Sequence, residues 1–307
     1  MQAFLAVDGP LDPGATLARY RIWGEDPANR VTDDRFRRVL RADGRLVPYE
    51  VRWRGSVDEL QLIVDVPGER SPVTRDAVLG EVRRIFGLGF DLPGFYRMAK
   101  ADPALATLIG PLHGLRPTLT PTALEMLVGA ITAQQVNLTF AYALRGSLVR
   151  RFGAPVAFRG ETLYAFPEAA VLARVPVRTY RAMKFSTKKG EYVRGVGRAV
   201  AEGTVDLARL TEATSESVIE TLTALHGLGR WTAEWFIARC LGRGEVCPAG
   251  DLAVRKVFER SYPRRRPYTD DAMRKRAADA WGPYQNLAIH YLLAGLRLAR
   301  PSTGGAT

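Results

Sequence analysis

The chain has 307 residues, 47% of them hydrophobic and 25% charged. That length suits two or three domains with an ample core, and the apolar content excludes a disordered chain. No run of about 18 uninterrupted apolar residues occurs, which argues against a membrane-spanning helix. The two cysteines, Cys240 and Cys247, cannot supply a four-cysteine iron–sulfur cluster within one chain.

The formal net charge is +12, and its distribution is uneven. Residues 1–112 carry 16 basic and 16 acidic side chains, whereas residues 113–307 carry 28 and 16. A basic excess confined to one region suits a polyanion such as nucleic acid. A solvated arginine-rich surface is the alternative, since 38 of the 44 basic residues are Arg. The N-terminal segment MQAFLAVDGPLDPG lacks the basic start and apolar run of a secretory signal, and so few cysteines fit a reduced setting. The expected location is therefore cytoplasmic.

In chain order, residues 1–112 read as a mixed α/β domain. RRVLRADGRLVPYEVRW and ELQLIVDVPG alternate apolar and polar positions around a turn at Asp43-Gly44, as antiparallel strands do. TRDAVLGEVRRIFGL spaces Val78, Val82, Ile85 and Phe86 as a helix, with Thr74 as its expected N-cap. The neutrality of this domain suggests a structural support, not a clamp on DNA. The Gly- and Pro-rich stretch 110–122 marks a boundary.

From 113 to 300 the pattern is helical almost throughout. TALEMLVGAITAQQVNLTFAYALRGSLVRRFG gives one or two helices, and further helices are expected at 168–174, 187–201, 215–225, 231–241, 251–261, 270–280 and 284–298. The tail 301–307, PSTGGAT, reads as disordered.

The stretch LHGLGRWTAEWF carries the chemistry. Helix 215–225 ends at Gly227-Leu228-Gly229, and a second helix starts at once. Glycines allow backbone angles closed to other residues, and the amides of a helix start can face a phosphate. Gly227, Gly229, Arg230 and Thr232 are the candidate phosphate contacts, and Leu228 is expected to plug the hairpin into the core. An ordinary tight turn with Gly227 as C-cap is the alternative. Downstream, PAGDLAVRKVF sets Asp251 at the mouth of a helix, where an Asp also serves as an N-cap. The histidines His113, His226 and His290 are scattered without transition-metal spacing.

With these motifs the sequence resembles the helix-hairpin-helix DNA glycosylase superfamily, most nearly its bacterial alkyladenine branch. LHGLGRWTAEWF resembles the family's hairpin, and PAGDLAVRKVF the segment with its catalytic aspartate. AITAQQV and MKFSTKKGEYVRGVGRAV resemble two further helices of that branch. The resemblance spans nearly the whole chain, more strongly from 124 to 298 than before 112. It implies a mainly α fold, a helix-hairpin-helix core with an N-terminal α/β domain. The implied activity is that of a monomer acting on duplex DNA, flipping out an alkylated purine and hydrolysing its N-glycosidic bond. Other damaged bases, such as hypoxanthine, ethenoadenine or a deaminated base, remain open, as does a non-catalytic DNA-binding protein.

On this resemblance Asp251 is the catalytic carboxylate. It would stabilise oxocarbenium character at C1′ and orient or deprotonate water. Members that also cut the strand carry a lysine directly after the G-x-G-x; here Trp231 stands there, so no Schiff base is expected. Trp231, Trp235, Leu252 and Leu293 are the expected base-pocket residues, with core packing as the alternative for both tryptophans. Gln134 and Gln135 are the candidate wedges that fill the vacated stack, Gln135 before Gln134; a polar helix end bonded internally is the alternative. No cofactor is required, and a monovalent cation on the backbone carbonyls of Thr223, Leu225 and Gly227 is implied.

Overall fold

A computed structural model of the protein describes residues 1–298; the tail read as disordered, 301–307, lies outside the described residues. The N-terminal strands are β1 (Gln2–Ala6), β2 (Arg30–Val31), β3 (Arg35–Ala42), β4 (Arg45–Arg54) and β5 (Gln61–Asp65). They form one antiparallel sheet in the order β1-β5-β4-β3-β2. The β3–β4 turn is Asp43-Gly44 with both residues at positive φ, the backbone that a two-residue hairpin demands. Phe36, Tyr49, Val51, Leu62 and Val64 point to one face and pack on Val78, Val82, Ile85 and Phe86 of the helix Pro72–Ile85. The N-cap of that helix lies three residues before the expected one. Ser71 is the N-cap, its hydroxyl accepting from the Thr74 amide, and Pro72 follows at the first helical position, where its missing N–H costs nothing.

The second core is helical, as expected, and runs from the helix Ala123–Ala133 to the helix Gln285–Leu298. Its reach is wider than residue 113. Leu92, Phe95, Ala99, Leu105 and Leu112 belong to it, with the Phe95 and Tyr291 rings 4.6 Å apart. Tyr262 and Trp281 both donate to the Asp102 carboxylate. The change of core therefore falls near Gly87–Asp91. Composition locates the loop at 110–122, but not the core that the preceding helices choose.

A second difference is the hairpin β6 (Ala154–Phe158) and β7 (Glu161–Ala165), read as a gap between helices. Its turn Arg159-Gly160 is again at positive φ on both residues. Phe158, Leu163 and Ala165 pack on Val39 of the N-terminal sheet.

Between the two cores lies a buried ion network. Glu125 binds both Arg38 and Arg145, Arg38 also binds Glu81, and Arg145 binds Asp26 at 3.0 Å. All five side chains are buried. Burial pushes the Glu125 carboxyl up, but the two guanidiniums overcome that and hold it below its ordinary range.

Candidate active site

The hairpin's first helix is Ser215–Thr223 and its second Arg230–Phe236, which continues as a π turn through Ile237–Leu241. Gly227 sits at φ +88, and a side chain there would strike the Tyr192 ring at 2.3 Å, so glycine is required on both counts. Leu228 is 5% exposed and plugs into the core as expected. Gly229 and Arg230 lie at the surface, and among the described residues the amides of Gly229, Arg230 and Trp231 find no intramolecular acceptor. The Arg230 side chain is 57% exposed and pairs with Glu234 at 3.0 Å. This is the open amide cluster that an oxyanion would fill.

Thr232 is a correction. It is 0% exposed and its hydroxyl is sealed in the protein, so it cannot reach a phosphate. Its position on the inner face of the second helix follows from the 3.6-residue repeat that also buries Trp235 and Phe236.

Asp251 is the N-cap that its position suggested. It caps the helix Leu252–Ser261, with Oδ1 accepting from the amides of Ala253 at 2.8 Å and Val254 at 3.1 Å. Its other oxygen faces the hairpin helix, where Oδ2 accepts from the indole Nε1 of Trp231 at 2.8 Å and of Trp235 at 3.0 Å. A carboxylate offers about four lone-pair sites, and here four donors take them. Such a group is fixed in place as a negative charge. It suits electrostatic stabilisation of a cationic sugar more than direct abstraction of a proton from water.

Trp231 and Trp235 therefore do more than line a pocket, and the spacing of four that puts them on one helix face is what lets both reach one oxygen. Trp235 is 5% exposed and Trp231 more open. The Arg239 guanidinium lies over the Trp235 ring at 4.1 Å, and Arg239 Nε donates to His290 Nε2 at 3.2 Å. Burial, then the Arg239 charge, push the His290 ring well below its usual range, so it stays neutral near pH 7.

A cavity of about 360 Å³ opens onto Asp251. Trp231, Trp235, Ala253 and Leu293 line it, together with Tyr142 and Leu138 of the helix Leu138–Phe152. Leu293 stands where it was expected. Leu252 does not: it is 73% exposed and outside the lining, because the first residue of a helix capped by an inward-facing Asp turns outward. The N-terminal domain supplies Arg19, Tyr20, Trp23 and Asp26 to the same lining. Sequence reasoning missed these, and nothing in the spacing of that neutral segment marks them.

The two glutamines separate. The helix Ala123–Ala133 stops at Gln134, whose Nε2 donates to the Gly227 carbonyl at 2.8 Å and ties this turn to the hairpin. Gln135 is exposed and held at φ +55, a conformation non-glycine residues rarely adopt. Lys189, in the helix Thr187–Ala201, fixes the same turn by donating to the Thr132 carbonyl at 2.9 Å. Of the three carbonyls expected to hold a cation, that of Leu225 accepts from Leu228 at 3.0 Å and that of Gly227 from Gln134. A carbonyl has two lone pairs, so each of these two keeps one. Cys240 and Cys247 are buried free thiols. Among the described residues no cluster of His, Cys, Asp or Glu is arranged to hold a metal ion, and no helix is long and apolar enough to cross a membrane.

Fold and site together define a helix-hairpin-helix protein whose hairpin stands beside a fixed carboxylate at the mouth of a cavity. The chain belongs to the HhH-GPD superfamily of base excision DNA repair proteins, whose description matches residues 128–283, from the Gln134–Gln135 turn through the hairpin and Asp251. It is 29% identical over 240 residues to a DNA-3-methyladenine glycosylase of Bacillus subtilis, covering 77% of this chain and 78% of the relative. It is 26% identical to DNA-3-methyladenine glycosylase 2 of Escherichia coli, covering 62% of this chain and 63% of the relative. A solved 3-methyladenine DNA-glycosylase from Archaeoglobus fulgidus shares the fold over 97% of this chain and 99% of its own, with a TM-score of 0.86 at 24% identity.

Proposed function

We propose that the protein is a monofunctional DNA glycosylase that removes alkylated purines of the 3-methyladenine and 7-methylguanine type from duplex DNA and leaves an abasic site. The observation that carries this is the carboxylate of Asp251, held by two indole N–H groups and two backbone amides at the mouth of a cavity of base size. The names of the two bacterial relatives support the substrate class.

In this reading the hairpin amides and Arg230 anchor a backbone phosphate, and Gln135, on its strained turn, fills the stack left by the rotated nucleotide. The base enters the cavity against the Trp231 indole, an electron-rich face for a cationic ring. As the C1′–N bond stretches, positive charge grows on the sugar beside Asp251. An alkylated purine departs as a neutral base and needs no acid to protonate it. Water then adds at C1′. With Trp231 in place of an amine, the strand stays intact. A monovalent cation on the carbonyls of Thr223, Leu225 and Gly227 belongs to the same proposal; bound there it would bridge the hairpin to the phosphate. The protein is proposed to work as a monomer at the nucleoid.

Incubation with alkylated genomic DNA should release 3-methyladenine or 7-methylguanine, identified by mass spectrometry, and the product should break only on treatment with alkali or heat. Release of neither base, or scission without that treatment, would overturn the reading.

A further inference from the structure

Trp231, Trp235 and Arg239 recur at intervals of four along the second helix of the hairpin, and all three line the cavity. In a regular α-helix a residue eight positions on has turned about 80° away from the first. Here Arg239 lies in the π turn Ile237–Leu241, where each residue turns through a smaller angle and that drift is reduced. Arg239 therefore stays on the face of the two tryptophans, its guanidinium 4.1 Å from the centre of the Trp235 ring.

A chain of contacts leads from there to the carboxylate. The Asn286 carbonyl can only accept, so His290 carries its proton on Nδ1 and donates it across 2.8 Å. His290 Nε2 is then a lone pair, and it accepts from Arg239 Nε at 3.2 Å. The Asn286 side chain donates to the carbonyls of Ala238 and Arg243, both 2.9 Å away, which fixes this helix against the hairpin. The His290 and Trp235 rings meet nearly at right angles, 5.8 Å apart. Trp235 is thus held on its face by Arg239 and from the side by His290, and its Nε1 donates to Asp251 Oδ2 at 3.0 Å.

Packing alone does not account for the guanidinium. Among the described residues the Arg239 side chain pairs with no carboxylate; its partners are His290 and the Trp235 ring. An apolar side chain of similar length would also cover the indole. Burial pushes Arg239 down to about 9, so it is still a cation at neutral pH. What the cation adds is direction. The torsion that turns an indole about its Cβ–Cγ bond is broad and roughly two-fold. A guanidinium over the ring face, itself bonded to His290, holds the setting that aims Nε1 at Asp251. It also draws electron density from the ring, which makes the indole N–H a stronger donor to a carboxylate.

We infer that Arg239 is a positioning residue for Asp251. Acting through Trp235, it keeps one of the two indole donors on Oδ2 and so holds the carboxylate in the orientation that faces the sugar. Its effect on rate rests on the glycosylase reading above, whereas the Trp235–Asp251 bond can be followed without substrate.

Two measurements on the full-length protein test this. In the substrate-free protein, hydrogen exchange of the Trp235 indole N–H, assigned by its loss in Trp235→Phe, should be at least ~10-fold faster in Arg239→Met. Single-turnover release of 7-methylguanine by Arg239→Met should be slower by roughly 10-fold, while duplex affinity stays within about twofold of wild type. Arg239→Lys, which keeps a cation over the ring, should recover most of both losses. In the Trp235→Phe background Arg239→Met should add less than about twofold, because the residue through which it acts is gone. Arg239→Gln, which keeps a donor for His290 but no charge, gives the same comparison if Arg239→Met does not fold. Unchanged indole exchange would overturn the inference. So would a full loss of rate in the Trp235→Phe background, or an Arg239→Lys variant no better than Arg239→Met. Release of no 7-methylguanine by the wild type, with indole exchange altered as expected, would overturn the glycosylase reading and leave the positioning of Asp251 standing.

Discussion

The two walls of the cavity are built on opposite rules. On the helical side the groups around the carboxylate are engaged: Asp251 has four donors, Trp235 is clamped by Arg239, and Gln134 is spent on the hairpin. On the N-terminal side Arg19 and Tyr20 present groups with none. The first wall is complete without substrate and holds one charge rigidly, which is what preorganised catalysis needs. The neutral N-terminal domain therefore closes the cavity as well as supporting the fold, and the ion network around Glu125 locks the two cores together behind it.

That contrast can be broken in graded steps. The largest effect should come from Glu125→Ala, which takes a shared carboxylate from two buried guanidiniums and leaves each with one. Breaking such a network costs ~3–5 kcal/mol, to be read as a lower Tm in calorimetry. The same network predicts acid sensitivity. Because Glu125 is held below its ordinary range, its contribution is full above the free glutamate value of about 4.3 and is lost as pH falls from there through the lower value of the folded carboxyl. In Glu125→Gln that acid-dependent part of the Tm should shrink.

A smaller effect is expected from Trp231→Phe, which keeps an aromatic face but removes one donor from Asp251. A hydrogen bond to a charged group is worth ~1.5–3 kcal/mol, so single-turnover base release should slow roughly 10- to 100-fold at unchanged Tm. An unchanged rate would show that one indole suffices. Smaller again is Gln134→Ala, where losing the bond to the Gly227 carbonyl should cost about 1 kcal/mol of duplex affinity, seen in a binding titration. Least of all, Leu252→Ala should change stability by less than ~0.5 kcal/mol, because the side chain is already in solvent.

How legible each wall was follows from these rules. Asp251, the hairpin and Trp231 could be read because they are contiguous motifs whose spacing fixes their geometry. The same period should have warned that Thr232 faces inward with Trp235 and Phe236. Leu252 misled because adjacency to Asp251 in sequence does not mean adjacency in space at a helix start. Arg19 was invisible because its place at the cavity depends on a contact between two domains, about 230 residues from Asp251 in sequence, which no spacing reveals. The hairpin β6–β7 was missed because its strands are short and only Arg159-Gly160 marks its turn.

The central claim is that Asp251 performs the chemistry and is not merely the cap of its helix. Asp251→Asn keeps a capping side chain but removes the charge, and is the variant to compare with the wild type. Single-turnover release of 7-methylguanine should fall by about 1000-fold or more, while Tm and duplex affinity stay close to wild type. Release by Asp251→Asn at a rate near that of the wild type would contradict the account.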